Sequence, residues 1–301
     1  MIPQTQTVEF DLARAQRRAV DFVALAKPRV VTMVLVTTCV GFYLGTPGTV
    51  DYLQLVRTLL GTALAAGGTL ALNQFLERDV DALMQRTHRR PLPDGRLQPA
   101  EALIFGAVLT AAGIGYLAVA VNLLSAAVTA VTSVSYLGVY TPLKRVTPLC
   151  GVIGAVPGAL PPVTGWVAAH DGFGTQSWVL FALLFLWQVP HSLAIARLYR
   201  DDYARAGIQF LPVVEPDARS TGRQVVTNCA ALLVVGMLPL LVGLSGPLYC
   251  LTALLCGAGL LGCSIRFALS PTLQAARQLL RASLLYLPVV LIAMAAGKVT
   301  M

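Results

Sequence analysis

Charge is scarce in this sequence. Its 22 basic and 14 acidic residues make up 12% of 301 positions, about half the share carried by an ordinary soluble domain, while 56% are hydrophobic. So few charges cannot cover so much apolar surface, which excludes a soluble enzyme, a nucleic-acid binder and a disordered scaffold. The six cysteines, at 39, 150, 229, 250, 256 and 263, form no C-x-x-C pair and no metal-ligand spacing. Most sit in apolar runs, where cysteine behaves as a small hydrophobe. No short basic start followed by an apolar core opens the chain, so no cleavable signal is expected. These absences leave an all-α fold, a polytopic membrane helical bundle.

A membrane-crossing helix needs about 20 mostly apolar residues. Such runs occupy 30–46, 54–76, 100–119, 121–140, 149–168, 176–199, 223–244, 246–268 and 279–297. The division near 120 rests only on Val121-Asn122. Residues 30–297 are therefore expected to form one transmembrane domain, and 1–29 a cytoplasmic N-terminal segment. In that segment Val8, Leu12, Ala15, Ala19 and Phe22 share a helical face opposite Arg14, Arg17, Arg18 and Asp21. The pattern suits a helix lying on the membrane surface, or else a polar lead-in to the first span.

Placing the N-terminus inside puts every basic residue except Arg57 and Lys298 on the cytoplasmic side, together with every acidic residue except Asp51 and Asp171. Basic residues orient membrane proteins in this way, and polar chemistry is therefore expected at the cytoplasmic face. A faint repeat runs through the chain. Lys27-Pro28-Arg29 opens the first span as Lys144-Arg145 precedes the fifth, and acidic clusters end the second and sixth. Two four-helix halves plus a ninth helix would account for it. Gly41 with Gly45, and Gly154 with Gly158, fit either close helix packing in lipid or close approach to a ligand. Pro157, Pro161 and Pro162 should kink the fifth span.

The first long inner loop holds the most informative cluster. Asn73, Glu77 and Asp81 are spaced i, i+4, i+8, which places all three on one helix face. An amide and two carboxylates are hard oxygen ligands suited to Mg²⁺, which takes its remaining ligands from water and substrate phosphates. Arg78, Arg86, Arg89 and Arg90 surround them, as a bound diphosphate requires. A salt-bridged surface loop would use the same charges, but Asn73 at the lip of a span is costly without a role. In the sixth span Gln188 and His191 are polar residues amid apolar ones, marking either a ligand site or a hydrogen-bonded core. Asp201-Asp202 reads equally as a second anchor or as a solvated helix end.

At these residues the sequence resembles the UbiA superfamily of intramembrane prenyltransferases, and within it the heme O synthase (protoheme IX farnesyltransferase) branch. The superfamily motif Asn-x-x-x-Asp-x-x-x-Asp is matched by Asn73, Glu77 and Asp81, with Glu where Asp is usual. Similar to the branch's signatures are Met84-x-Arg86-Thr87-x-x-Arg90-Pro91-Leu92, Tyr140-Thr141-Pro-Leu-Lys144-Arg145, Trp187-Gln188-x-Pro190-His191 and Asp202-Tyr203. So is the run from Gly154-Ala155 to Gly165-Trp166. The resemblance implies Mg²⁺-dependent transfer of farnesyl from farnesyl diphosphate to a vinyl group of heme B, giving heme O and diphosphate. Membrane lipid and a downstream heme-modifying enzyme are the further partners it implies.

On that reading Asn73, Glu77 and Asp81 hold the metal, and Lys144 and Arg145 stabilise the leaving diphosphate. Arg86, Arg90, Tyr140, Trp187, His191, Asp202 and Tyr203 contact substrates, with His191 ligating or orienting heme. No C-x-x-C-H occurs, so covalent heme attachment is not expected. A superfamily member acting on an aromatic quinone precursor is the nearest alternative. A secondary transporter would need ionisable groups near the bilayer midplane, and here the acids collect at one face.

The orientation is open to direct test. Reporter fusions after Arg90 and after Arg219 should read cytoplasmic, and one at His170 external; a cytoplasmic His170 would overturn the helix count.

Overall fold

The structure, a computed structural model, describes residues 4–215 and 217–299, with side chains from residue 15 onward. Among the described residues nine helices are long and apolar enough to cross a membrane. In chain order they are Pro28–Gly45, Tyr52–Asp81, Pro99–Ala120, Leu123–Leu143, Cys150–His170, Thr175–Leu198, Arg219–Leu241, Pro247–Leu269 and Leu273–Ala296, the first to ninth spans below. Successive spans are neighbours in space, and the ring closes where the ninth packs on the sixth and touches the first.

Local chemistry sets the ends of these helices. Asp51 accepts hydrogen bonds from the Leu53 and Gln54 amides at 2.9 and 3.0 Å, capping the second span, as N-terminal amides without intrahelical partners require. The division near 120 depends on Asn122. Its carbonyl accepts from Ser125 N at 2.8 Å, while its amide donates to Val167 O at 2.8 Å. One polar side chain thus starts the fourth span and ties it to the fifth.

The fifth span runs inside the ring, against the first, second, fourth and sixth, and is the most buried of the nine. Its prolines divide it into short helical pieces, Cys150–Ile153, Ala155–Ala159 and Pro161–His170, because each proline removes an amide donor and crowds the preceding turn. Its contact with the first span has no room for side chains. A Cβ on Gly41 would lie 2.0 Å from Pro162 O, and one on Gly165 would lie 1.9 Å from Thr38 O. Gly45 meets the backbone of Trp166 in the same seam. The pair Gly41 and Gly45 packs against helix backbone, whereas Gly154 and Gly158 lie close against the Tyr140 and Gln188 side chains at the wall of a cavity.

The N-terminal segment is a helix, Gln4–Leu25. Leu25 is fully buried, Phe22 packs on Phe105 at 5.0 Å between ring centroids, and Gln74 Nε2 donates to Leu25 O at 2.8 Å. Arg18 and Asp21, expected on the outward polar face, turn inward instead: Arg18 pairs with Glu101, and Asp21 with Arg96. Their partners come from distant segments, which helical periodicity does not report. Ala15 and Ala19 are exposed; the side chains of Val8, Leu12 and Arg14 lie outside the described residues.

The seam between first and fifth spans predicts a contrast between two glycines. Gly165→Ala forces a methyl into backbone and should destabilise by about 1–3 kcal/mol, as overpacking does. Gly115, with nothing within 4 Å of its would-be Cβ, should accept alanine without loss. Thermal unfolding in detergent measures both.

Candidate active site

The second span stays helical to Asp81, so its last two turns stack Asn73, Glu77 and Asp81 on one face. Asn73 Nδ2 donates to Glu77 Oε2 at 3.0 Å and lies 3.2 Å from Thr141 Oγ1. Each of the three meets a different cation. Lys27 Nζ lies 3.2 Å from Asn73 Oδ1, Lys144 Nζ 2.7 Å from Glu77 Oε1, and Arg90 Nη1 2.6 Å from Asp81 Oδ2. Asp79 points the other way: its side chain is 86% exposed against 2% for Asp81. The two carboxylates and the amide suit a Mg²⁺ ion that completes its shell with water and phosphate oxygens. No third carboxylate, histidine or cysteine joins them among the described residues.

The cations are placed by unusual backbone. Lys27 is left-handed, at φ 49°, between the N-terminal helix and Pro28, a conformation disfavoured for a residue with a Cβ. Burial, and then the Arg90 and Lys144 charges, push its ammonium down to about 7. Lys144 follows a π-turn, Ser135–Tyr140. Pro142 cannot donate to the turn before it, and the widened π-turn immediately upstream accommodates the missing bond. The same widening brings the Tyr136 and Tyr140 rings within 5.4 Å. Lys144 Nζ sits 4.4 Å from the centre of the Tyr140 ring and 6.0 Å from that of Tyr136. Burial works against its charge, but both rings and Glu77 outweigh it and hold the ammonium above the ordinary lysine value.

A cap of turns, residues 82–98, covers this end. Asp202 secures it. Its carboxylate accepts from Gln85 N and Arg86 N, both at 3.3 Å, and pairs with Arg205. Arg86 in turn donates to Tyr203 OH at 3.2 Å and lies over the Tyr199 ring at 5.1 Å. Asp202 is thus not a solvated helix end; it joins the loop after the second span to the segment after the sixth. Asp201 is exposed.

Below the Lys144 platform lies a cavity of about 280 Å³. Tyr136, Tyr140, Thr69, Thr62, Gly158 and Gln188 are among its walls. Gly158 lets the Gln188 amide lie against the fifth span, where a Cβ would come 1.9 Å from Gln188 Oε1. Trp187 and His191 are not part of that wall. Trp187 Nε1 donates to Ser283 O at 2.8 Å, His191 Nδ1 lies 2.9 Å from Ser283 Oγ, and the two rings stack 4.7 Å apart. They face the ninth span.

The residues proposed from sequence therefore divide into groups. Asn73, Glu77, Asp81, Lys144 and Arg90 come together, with Tyr140 beneath them. Arg86, Asp202 and Tyr203 build the cap, and Trp187 with His191 lies apart. Arg145 is exposed and makes no side-chain hydrogen bond or ion pair among the described residues, so it stands outside the cluster its neighbour joins. Tyr136 was not singled out by sequence. Thr141 stood only within the Tyr140–Arg145 signature, and Lys27 only as the basic residue that opens the first span as Lys144-Arg145 precedes the fifth.

An apolar chamber under a ring of cations and oxygen ligands is a site for an amphiphile with an anionic head. Comparison with known proteins agrees. The chain belongs to the UbiA prenyltransferase family, which it matches over residues 34–287, and it is a multi-pass integral membrane protein. It is 50% identical over 279 residues to a protein of Solibacter usitatus (strain Ellin6076) named protoheme IX farnesyltransferase, covering 90% of this chain and 96% of that one. Among solved structures it superposes on a digeranylgeranylglyceryl phosphate synthase with TM-score 0.80 at 15% identity, covering 95% and 100% of the two chains. A UbiA homologue from Archaeoglobus fulgidus bound to GPP and Mg²⁺ gives TM-score 0.63 at 16% identity, over 91% and 99%.

The ion pairs set an expectation for the ligand-free protein. Lys144 and Glu77 are 11% and 14% exposed, so Lys144→Ala leaves a largely buried carboxylate without its partner. That should lower stability by about 3 kcal/mol, and Lys144→Met with Glu77→Gln should recover most of it. Denaturation of the single and double variants measures the difference.

Proposed function

We propose that this protein transfers the farnesyl group of farnesyl diphosphate to a vinyl group of heme B, giving heme O and diphosphate, in a Mg²⁺-dependent reaction. The carrying observation is the apolar cavity walled by Tyr136 and Tyr140 directly beneath Lys144 and the Asn73–Glu77–Asp81 face. The identity of the acceptor is supported by the name of the Solibacter relative.

Mg²⁺ bound by Asn73, Glu77 and Asp81 would neutralise charge on the departing diphosphate. Lys144 and Arg90 add fixed positive charge at the same end, where a water-poor site makes it effective, and Lys27 adds a hydrogen-bond donor beside Asn73. The prenyl chain lies in the cavity. The faces of Tyr136 and Tyr140 steady the allylic cation, and the cap closed by Asp202, Arg86 and Tyr203 keeps water from it. His191, fixed through Nδ1 by Ser283, leaves Nε2 to ligate or orient the heme iron. Trp187 stacks on the imidazole and, through its bond to Ser283 O, holds it in place. The cap faces the cytoplasm, as the distribution of basic residues favours.

The test is anaerobic incubation of membranes with heme B and farnesyl diphosphate, followed by mass analysis of the extracted heme. A farnesylated heme should form, disappear with chelator and return with Mg²⁺. Asp81→Asn should cost at least about tenfold in rate, the effect of roughly 1.4 kcal/mol, and Asp79→Asn little. His191→Ala should lower heme turnover while prenyl diphosphate still protects the chain from proteolysis. Absence of farnesylated heme, with an aromatic acid prenylated instead, would reject the acceptor; greater damage from Asp79→Asn would reject the metal face.

A further inference from the structure

A second site lies away from the reaction cavity, between the eighth and ninth spans. Gly259, Gly262, Cys263 and Arg266 line one side of an open groove of about 530 Å³, and Gln278 and Arg281 the other. Both arginines are exposed. Neither takes part in an ion pair among the described residues.

The chain has little with which to neutralise them. No Asp or Glu follows Asp217, so the last three spans contain arginines and no carboxylate. The nearby Arg197 adds a further cation, fixed to Pro271 O at 3.2 and 2.9 Å through Nε and Nη2. The ninth span begins at Leu273, and a rise of about 1.5 Å per residue sets Arg281 roughly 12 Å along that helix. Its long stem lets the guanidinium reach for headgroups.

The groove continues into the apolar zone as bare backbone. A Cβ on Gly259 or on Gly262 would meet nothing within 4 Å, so both glycines present an uncovered surface one to two turns below Arg266. Cations above and a smooth apolar bed below match the two parts of a phospholipid. We propose that this groove binds an anionic phospholipid, its phosphate between Arg266 and Arg281 and one acyl chain along Gly259 and Gly262. Basic pockets between helices favour such headgroups. Arginines that only set topology would need no groove and would not distinguish one lipid from another.

The full chain in phosphatidylcholine nanodiscs, titrated with phosphatidylglycerol and followed by native mass spectrometry, tests this. The wild-type protein should retain phosphatidylglycerol in preference to phosphatidylcholine. Arg266→Gln with Arg281→Gln should weaken that retention roughly 30-fold, the loss expected for two basic side chains near anionic headgroups. Arg223→Gln, which removes a charge outside the groove, should leave retention unchanged. Gly262→Leu, which keeps both arginines and fills the bed, should also weaken it and covers the case in which the double variant does not fold. Equal retention of the two lipids by wild type, full retention by the double variant or by Gly262→Leu, or an equal loss in Arg223→Gln would each overturn the proposal.

Discussion

Two carboxylates buried at the edge of an apolar bundle impose the constraint on which the rest of this structure depends. Glu77 and Asp81 lie where water is too scarce to solvate them, and an unpaired buried charge costs several kcal/mol. The chain answers with one cation from each of several segments: Lys144 from beyond the fourth span pairs with Glu77, and Arg90 from the cap pairs with Asp81. Lys27, from the turn before the first span, completes the arrangement at Asn73. Neutralising one helix end therefore fixes the relative positions of the N-terminal turn, the fourth span and the cap. The same contacts concentrate positive charge where a diphosphate would arrive.

The cavity below depends on what the fifth span lacks. Its glycines and prolines remove side-chain volume and backbone donors, so it can press into the first span at Gly165 and, at Gly154 and Gly158, take the Tyr140 and Gln188 side chains that wall the cavity. The π-turn in the fourth span supplies the aromatic roof. Packing on one side of a helix and a void on the other come from the same small-residue composition. The difference lies only in which neighbour each face meets.

Arginine has two separate uses in this fold. Arg18, Arg90, Arg96 and Arg205 pair with carboxylates and hold the cap and N-terminal helix together. Arg266 and Arg281 belong to a part of the chain without carboxylates. The first group finds its counterions within the protein; the second lines the open groove proposed for an anionic phospholipid.

The sequence by itself determined the features that depend on near neighbours. Nine apolar runs are local patterns about 20 residues long, and all nine are helices here. The shared face of Asn73, Glu77 and Asp81, and the outward turn of Asp79, follow from the helical step alone. Only the tertiary structure decided which distant groups meet. The Lys27–Asn73, Lys144–Glu77 and Asp202–Arg86 contacts span 46, 67 and 116 residues, and no local period encodes them. For the same reason Arg145 lies outside the cluster that Lys144 joins. Trp187 and His191 face Ser283 while Gln188 faces the cavity, because the neighbours surrounding the sixth span differ on its two sides. Arg18 and Asp21 turn inward because Glu101 and Arg96 await them there. A helix specifies which of its residues share a face, but the chain elsewhere supplies what that face meets.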